Sequence, residues 1–121
     1  MTNFLEETIG QLCTCELTPK DVRWVGNQDI WFSWDEFVTI ADFSYDPGFG
    51  AQEVVSDIMV VGDGWYMDRY EYDGSEFWDF HSVIEKPLVH HVPRSLHENK
   101  NGDRILWESI KSIGGYPDGM E

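Results

Sequence analysis

The chain is short of positive charge: 8 lysines and arginines stand against 23 aspartates and glutamates, a formal net charge of −15. So one-sided a balance repels polyanions. It disfavours direct binding to DNA, RNA or an anionic membrane and favours basic partners. Cysteine is scarce too. Cys13 and Cys15 are the two thiols, and two positions apart they make poor disulfide geometry and read as reduced. No apolar run approaches the ~20 residues that span a bilayer. The opening "MTNFLEETIGQL" has neither the basic n-region nor the long apolar h-region of a secretory leader. Internal repeats and low-complexity tracts are absent.

What is present is enough for one core. The 121 residues are 41% hydrophobic and 15% aromatic, which excludes disorder of the whole chain and fits a single domain over residues 1–121. Thr2 can cap a short helix with Leu5, Ile9 and Leu12 at helical spacing and Phe4 beside them. "VRWV" and "IWF" flank "GNQD" and predict a hairpin. In "SWDEFVTIADF", Ser33 and Glu36 form a capping box, and Trp34, Phe37, Val38 and Ala41 fall on one stripe of a helix.

Residues 53–85 predict a three-strand antiparallel meander, punctuated by Gly62, Gly64 and the Asp73-Gly74 pair. One more edge strand fits before Pro93. A C-terminal helix is expected over 103–113, with Leu106, Ile110 and Ile113 on one face and Gly114-Gly115 ending it. The tail, 116–121, reads as loose. The fold class is therefore α+β: an antiparallel sheet of four or five strands with two or three helices packed on one side.

No spacing of chemical groups singles out a catalytic site. A glycosidase-like pair needs one buried, protonated acid beside an ionised one, and nothing marks any of the acids of the meander as buried. Setting Gly74 at the sixth place of an EF-hand loop puts Arg69 first, where an acid is required. His81, His90, His91 and His97 match no common zinc spacing with the cysteines. Phosphate loops and nucleophile elbows are missing. The sequence thus predicts no enzyme, no cofactor and no metal.

The informative feature is where the acids lie. Between Trp24 and Glu85 there are fourteen acids, from Asp29 to Glu85, against one base, Arg69. On a strand, acids two apart lie about 6.7 Å apart on one face, with the neighbouring strand ~4.8 Å away. A duplex offers a phosphate every ~3.4 Å of axis per strand, so a carboxylate-dotted sheet approaches the charge density of a nucleic-acid backbone.

Residues 60–87 resemble a segment of small acidic proteins encoded by bacteriophages and prophages. Val60-Val61-Gly62, Trp65, Arg69, the run Glu71-Tyr72-Asp73-Gly74-Ser75-Glu76 and Trp78 carry the likeness, with Phe77 where tryptophan is usual. The resemblance implies a phage setting in the host cytoplasm and no particular mechanism. Joined to the acidic meander, it predicts a non-enzymatic inhibitor of a nucleic-acid-binding host defence protein, of the anti-CRISPR or anti-restriction type. Asp68, Glu71, Asp73, Glu76 and Asp79 would supply charge to a Lys/Arg-rich groove, and Tyr70, Tyr72 and Trp78 packing. Homodimerisation is compatible with this reading. The alternative is a small module that binds carbohydrate or peptide through the same aromatic and acidic groups.

Overall fold

The computed structural model describes residues 1–48, 52–82 and 86–120. Residues 83–85, the end of the meander expected over 53–85, lie outside the described residues.

A two-residue strand, β1 (Thr2–Asn3), runs directly into helix α1 (Phe4–Thr14). Asn3, not Thr2, is the cap: its Oδ1 accepts from the Glu6 N–H at 2.9 Å. The buried face of α1 is Phe4, Thr8 and Leu12, whereas Ile9 is exposed. A 3₁₀ turn at Pro19–Asp21 leads into β2 (Val22–Gly26), which pairs antiparallel with β3 (Ile30–Phe32) as the expected hairpin. Gly26 has φ +150°, and a Cβ there would stand 2.1 Å from the Ile30 carbonyl oxygen, so the close approach of the two strands requires glycine.

Helix α2 (Trp34–Ala41) carries the capping box foreseen from Ser33 and Glu36. The Glu36 N–H donates to Ser33 Oγ at 3.0 Å, and the Ser33 N–H to Glu36 Oε1 at 2.8 Å. Ser33→Ala should therefore cost about 1 kcal/mol, read as a lower urea midpoint at unchanged slope. Phe37 and Ala41 are buried, while Val38 turns outward. Strand β4 (Ser44–Tyr45) then pairs back on β1.

The meander is β5 (Met59–Gly62), β6 (Trp65–Tyr72) and β7 (Ser75–His81). Asp73 at φ 52° and Gly74 at φ 86° make the tight turn between the last two strands. With β8 (Val89–His90), six strands form one sheet in the order β7-β6-β5-β2-β3-β8. The sheet is mixed, because β8 pairs parallel with β3 where an all-antiparallel sheet of four or five strands was expected.

The C-terminal helix expected over 103–113 is absent; the segment is a chain of turns. Its hydrogen-bonding groups go to distant partners instead of a helical ladder. The Trp107 N–H donates to the Gln52 carbonyl, the Ile110 N–H to Asp57 Oδ1, and the Glu108 carbonyl accepts from Ser56 N–H. Trp107 sits at φ 55°, which no α-helix tolerates. Ile110 and Ile113 are buried as expected, but Leu106 is exposed and Ile105 is buried in its place, so apolar spacing reported burial in part and conformation wrongly.

The expected loose tail over 116–121 is anchored at its first residue. Tyr116 is buried, its hydroxyl donating to Asp29 Oδ2 at 2.6 Å and accepting from Asn27 Nδ2 at 3.0 Å.

One face of the sheet is covered. Facing positions Met67, Val60, Val25 and Phe32 line up across β6, β5, β2 and β3 and share a cluster with Phe4, Phe37, Tyr45, Ile110 and Tyr116. Both helices and the C-terminal turns thus supply the lid of one core. No helix among the described residues is long and apolar enough to cross a membrane.

Candidate functional site

The strand register divides the meander's side chains into two sets, and the division decides which of them can meet a partner. Directly opposed residues project to the same side, and the side alternates along each strand. In β6 and β7 the pairs are Tyr66 with His81, Asp68 with Asp79, Tyr70 with Phe77 and Tyr72 with Ser75 on one side. Met67 with Phe80, Arg69 with Trp78 and Glu71 with Glu76 take the other.

The second set faces the core, which corrects two of the expected partner-binding residues. Trp78 is buried, stacked on Phe4 with ring centroids 5.5 Å apart, and its Nε1–H donates to Thr8 Oγ1 at 3.0 Å. Glu76 is 2% exposed and serves the interior. Its carboxylate accepts from the backbone N–H groups of Glu53 and Val54 at 2.6 and 3.2 Å, and from Arg69 Nη2 at 3.0 Å. Neither residue can contact another molecule.

Arg69, the lone base of the acidic stretch, is the counter-charge of this arrangement. Its side chain is fully buried, 3.6 Å from Glu7 Oε1 through Nη1, and its Nη2 also donates to the Tyr45 hydroxyl at 3.0 Å. Its carbon centre lies 5.0, 5.1 and 5.8 Å from the ring centroids of Trp78, Phe4 and Tyr45. Nε and Nη1 meet no hydrogen-bond acceptor among the described residues, so the rings take the place of acceptors around the guanidinium. Burial pushes the Glu76 carboxyl above its usual range, against the pull of two backbone N–H groups and Arg69. Burial likewise raises the Tyr45 hydroxyl, with Arg69 opposing.

Many acids of the central span are also committed. Asp63 pairs with Arg23 at 2.8 Å and Glu53 with Arg104 at 3.0 Å. Asp57 is held by Asn27 and the Ile110 N–H, with its pKa raised by burial. Glu36 joins the α2 cap to His90, whose hydrogen bond is the chief cause of its lowered pKa. The acidity of the sequence therefore overstates the acidity of any one surface.

The first set projects from the face opposite the core, which no helix among the described residues covers. Asp68 and Asp79 stand directly opposite, half-exposed, with His81 Nε2 within reach of both carboxylates. Beside them Tyr70 and Phe77 pair at 5.3 Å between centroids, both exposed, and Tyr72 is 68% exposed at the ribbon's end. Asp73 caps the hairpin turn, exposed. Glu71 has inward parity but lies at the edge of the core, half-exposed, with Oε1 accepting from the Gly74 N–H at 3.3 Å.

Of the eight expected residues, then, the structure brings Asp68, Asp79, Tyr70 and Tyr72 together on one face. Asp73 and Glu71 lie at that ribbon's tip, and Glu76 and Trp78 are removed. Sequence reasoning missed Phe77, Tyr66 and His81. Strict alternation of side would have found all three, since each is an even number of residues from Asp68 along β6 or from Asp79 along β7.

The same face continues inward as a small apolar patch. Trp24, Met59 and Val61 are buried against each other, with Trp31 and Tyr66 at its margin. Lys86 Nζ lies 3.5 Å above the Trp31 ring. The face thus grades from sealed apolar contacts at β5 and β2 to open aromatic and acidic groups on β6 and β7.

Comparison with known proteins adds one likeness. Over 78 residues, 63% of the chain, the sequence is 32% identical to beta-galactosidase 11 of Oryza sativa subsp. japonica. The chain spans 9% of that protein's length. No family model and no solved structure matches the chain.

Proposed function

We propose that the protein is a non-enzymatic binding protein whose uncovered β6–β7 face engages the Lys/Arg-rich groove of a nucleic-acid-binding protein. In a phage setting the fitting partner is a host defence enzyme of the CRISPR or restriction kind, blocked by carboxylates that stand in for phosphates. The observation that carries the reading is the directly opposed pair Asp68 and Asp79. Like charges across a strand pair cost stability, and no lysine or arginine among the described residues pairs with either. A fold that keeps them half-exposed beside the exposed Tyr70, Phe77 and Tyr72 presents charge and packing area together.

The test is capture on the immobilised chain from bacterial lysate. A nucleic-acid-binding protein should be retained at about 0.1 M salt and released near 1 M, as the screening length falls from ~10 to ~3 Å. Duplex DNA added at low salt should displace it. Retention that survives both treatments overturns the reading, as does the capture of no nucleic-acid-binding protein.

A second reading rests on the exposed Tyr70–Phe77 pair, whose rings offer flat faces next to hydrogen-bonding carboxylates: a carbohydrate module. A galactose-containing neutral glycan is the natural probe, given the likeness to part of a β-galactosidase. Its binding would be insensitive to salt.

A further inference from the structure

Asp68, Asp79 and His81 each offer one ligand atom, and the three atoms lie within 4.8 Å of one another. We propose that they form a site for a divalent transition-metal ion of the zinc type on the uncovered face of the sheet. The site does not rest on a basic partner, and an ion seated there would cancel the charge that Asp68 and Asp79 offer such a partner, so the two occupants compete for the face.

The backbone builds the arrangement. Asp68 and Asp79 are held opposite each other by the antiparallel register, and His81, two residues beyond Asp79, projects to the same side from the next opposed pair. The imidazole is oriented by its neighbour, the Tyr66 ring stacking on it with centroids 4.9 Å apart at 26°. His81 Nε2 points between the carboxylates, 2.9 Å from Asp68 Oδ1 and 3.3 Å from Asp79 Oδ2.

Those separations suit a shared ion. Ligands about 2.1 Å from zinc stand about 3.4 Å apart in a tetrahedron, so small side-chain rotations open the cluster around the metal. Two carboxylates and one neutral imidazole cancel a divalent charge. The ion would also remove the repulsion that the register imposes on the two aspartates. Imidazole selects first-row transition ions, whereas calcium and magnesium prefer oxygen throughout. All three side chains are more than one-third exposed, which leaves a coordination position to water or to a group from another molecule. Cys13 and Cys15 lie on or just beyond α1, outside this cluster.

The experiment is calorimetric titration of the chelator-treated full chain with zinc chloride near neutral pH. One equivalent should bind. Asp68→Asn and His81→Ala should each weaken binding by about 10- to 100-fold or more, since even outer-shell changes cost that much at metal sites. Cys13→Ser/Cys15→Ser should bind as the unaltered chain does. Circular dichroism checks that His81→Ala, a half-exposed strand-end change, stays folded. Calcium chloride in place of zinc should give no comparable heat. Absence of a one-to-one zinc isotherm overturns the site. So does binding that survives His81→Ala, or that calcium reproduces, because either outcome makes it general attraction to an acidic surface.

Discussion

Arg69→Met should destabilise the fold by about 3–5 kcal/mol, because it leaves the Glu76 carboxylate buried without its cation. The loss should depend on pH in a stated direction. Burial holds the folded Glu76 pKa above the ordinary 4.5, and removing Arg69 raises it further. A carboxyl with a raised folded pKa favours folding below its unfolded value. That contribution is lost as pH rises through the folded value. The deficit of Arg69→Met should therefore be largest at neutral pH and shrink on mild acidification, where Glu76 is protonated. Urea unfolding at both pH values reads it. Arg69→Met/Glu76→Gln should be more stable than Arg69→Met alone at neutral pH, since it removes the buried charge, while the single amide oxygen accepts from one of the Glu53 and Val54 N–H groups, which reach different carboxylate oxygens in the unaltered chain. Strict additivity of the two single changes would contradict the buried-pair account.

Phe4→Ala should cost about 3–5 kcal/mol by the same measurement. Phe4 is fully buried at the start of α1, stacked between Phe43 at 5.3 Å and Trp78 at 5.5 Å, with Phe37 and Tyr45 edge-on. The ring also covers the Arg69 guanidinium, so its removal opens a cavity beside a buried charge. Phe77→Ala makes the contrast. Phe77 is exposed and touches Tyr70 across the ribbon, a pair worth roughly 0.2–1 kcal/mol. A small stability cost at Phe77 leaves its effect on binding readable, which is not so at Phe4.

These two aromatics show how far the sequence reaches. Local signals were legible where local geometry sets the structure. The Ser33–Glu36 box fixed the start of α2, and Asp73-Gly74 fixed the turn that registers β6 on β7. The expected helix over 103–113 failed because its apolar spacing also fits a chain of turns. Its donors and acceptors are claimed by Gln52, Ser56 and Asp57, roughly fifty residues earlier in the chain.

The candidate face was half legible. Counting acids located the ribbon but mixed its two sides, so Glu76 and Trp78 were grouped with Asp68 and Asp79. Arg69 held the missing clue. A single base among so many acids, two residues from Met67 and opposite an aromatic, marks the inward side and takes Glu76 with it. Pairings such as Arg23 with Asp63 and Glu53 with Arg104 join residues 40 or more apart, and composition alone says nothing of them.

The most direct test of the binding account is the salt dependence of affinity between the captured basic partner and two chains, the unaltered one and Asp68→Lys/Asp79→Lys. The account predicts steep weakening with salt for the first. The second should bind about 100-fold or more weakly at low salt, with a flattened slope, because like charges then meet across the interface. Equal affinities and equal slopes for the two chains would place recognition elsewhere and contradict it.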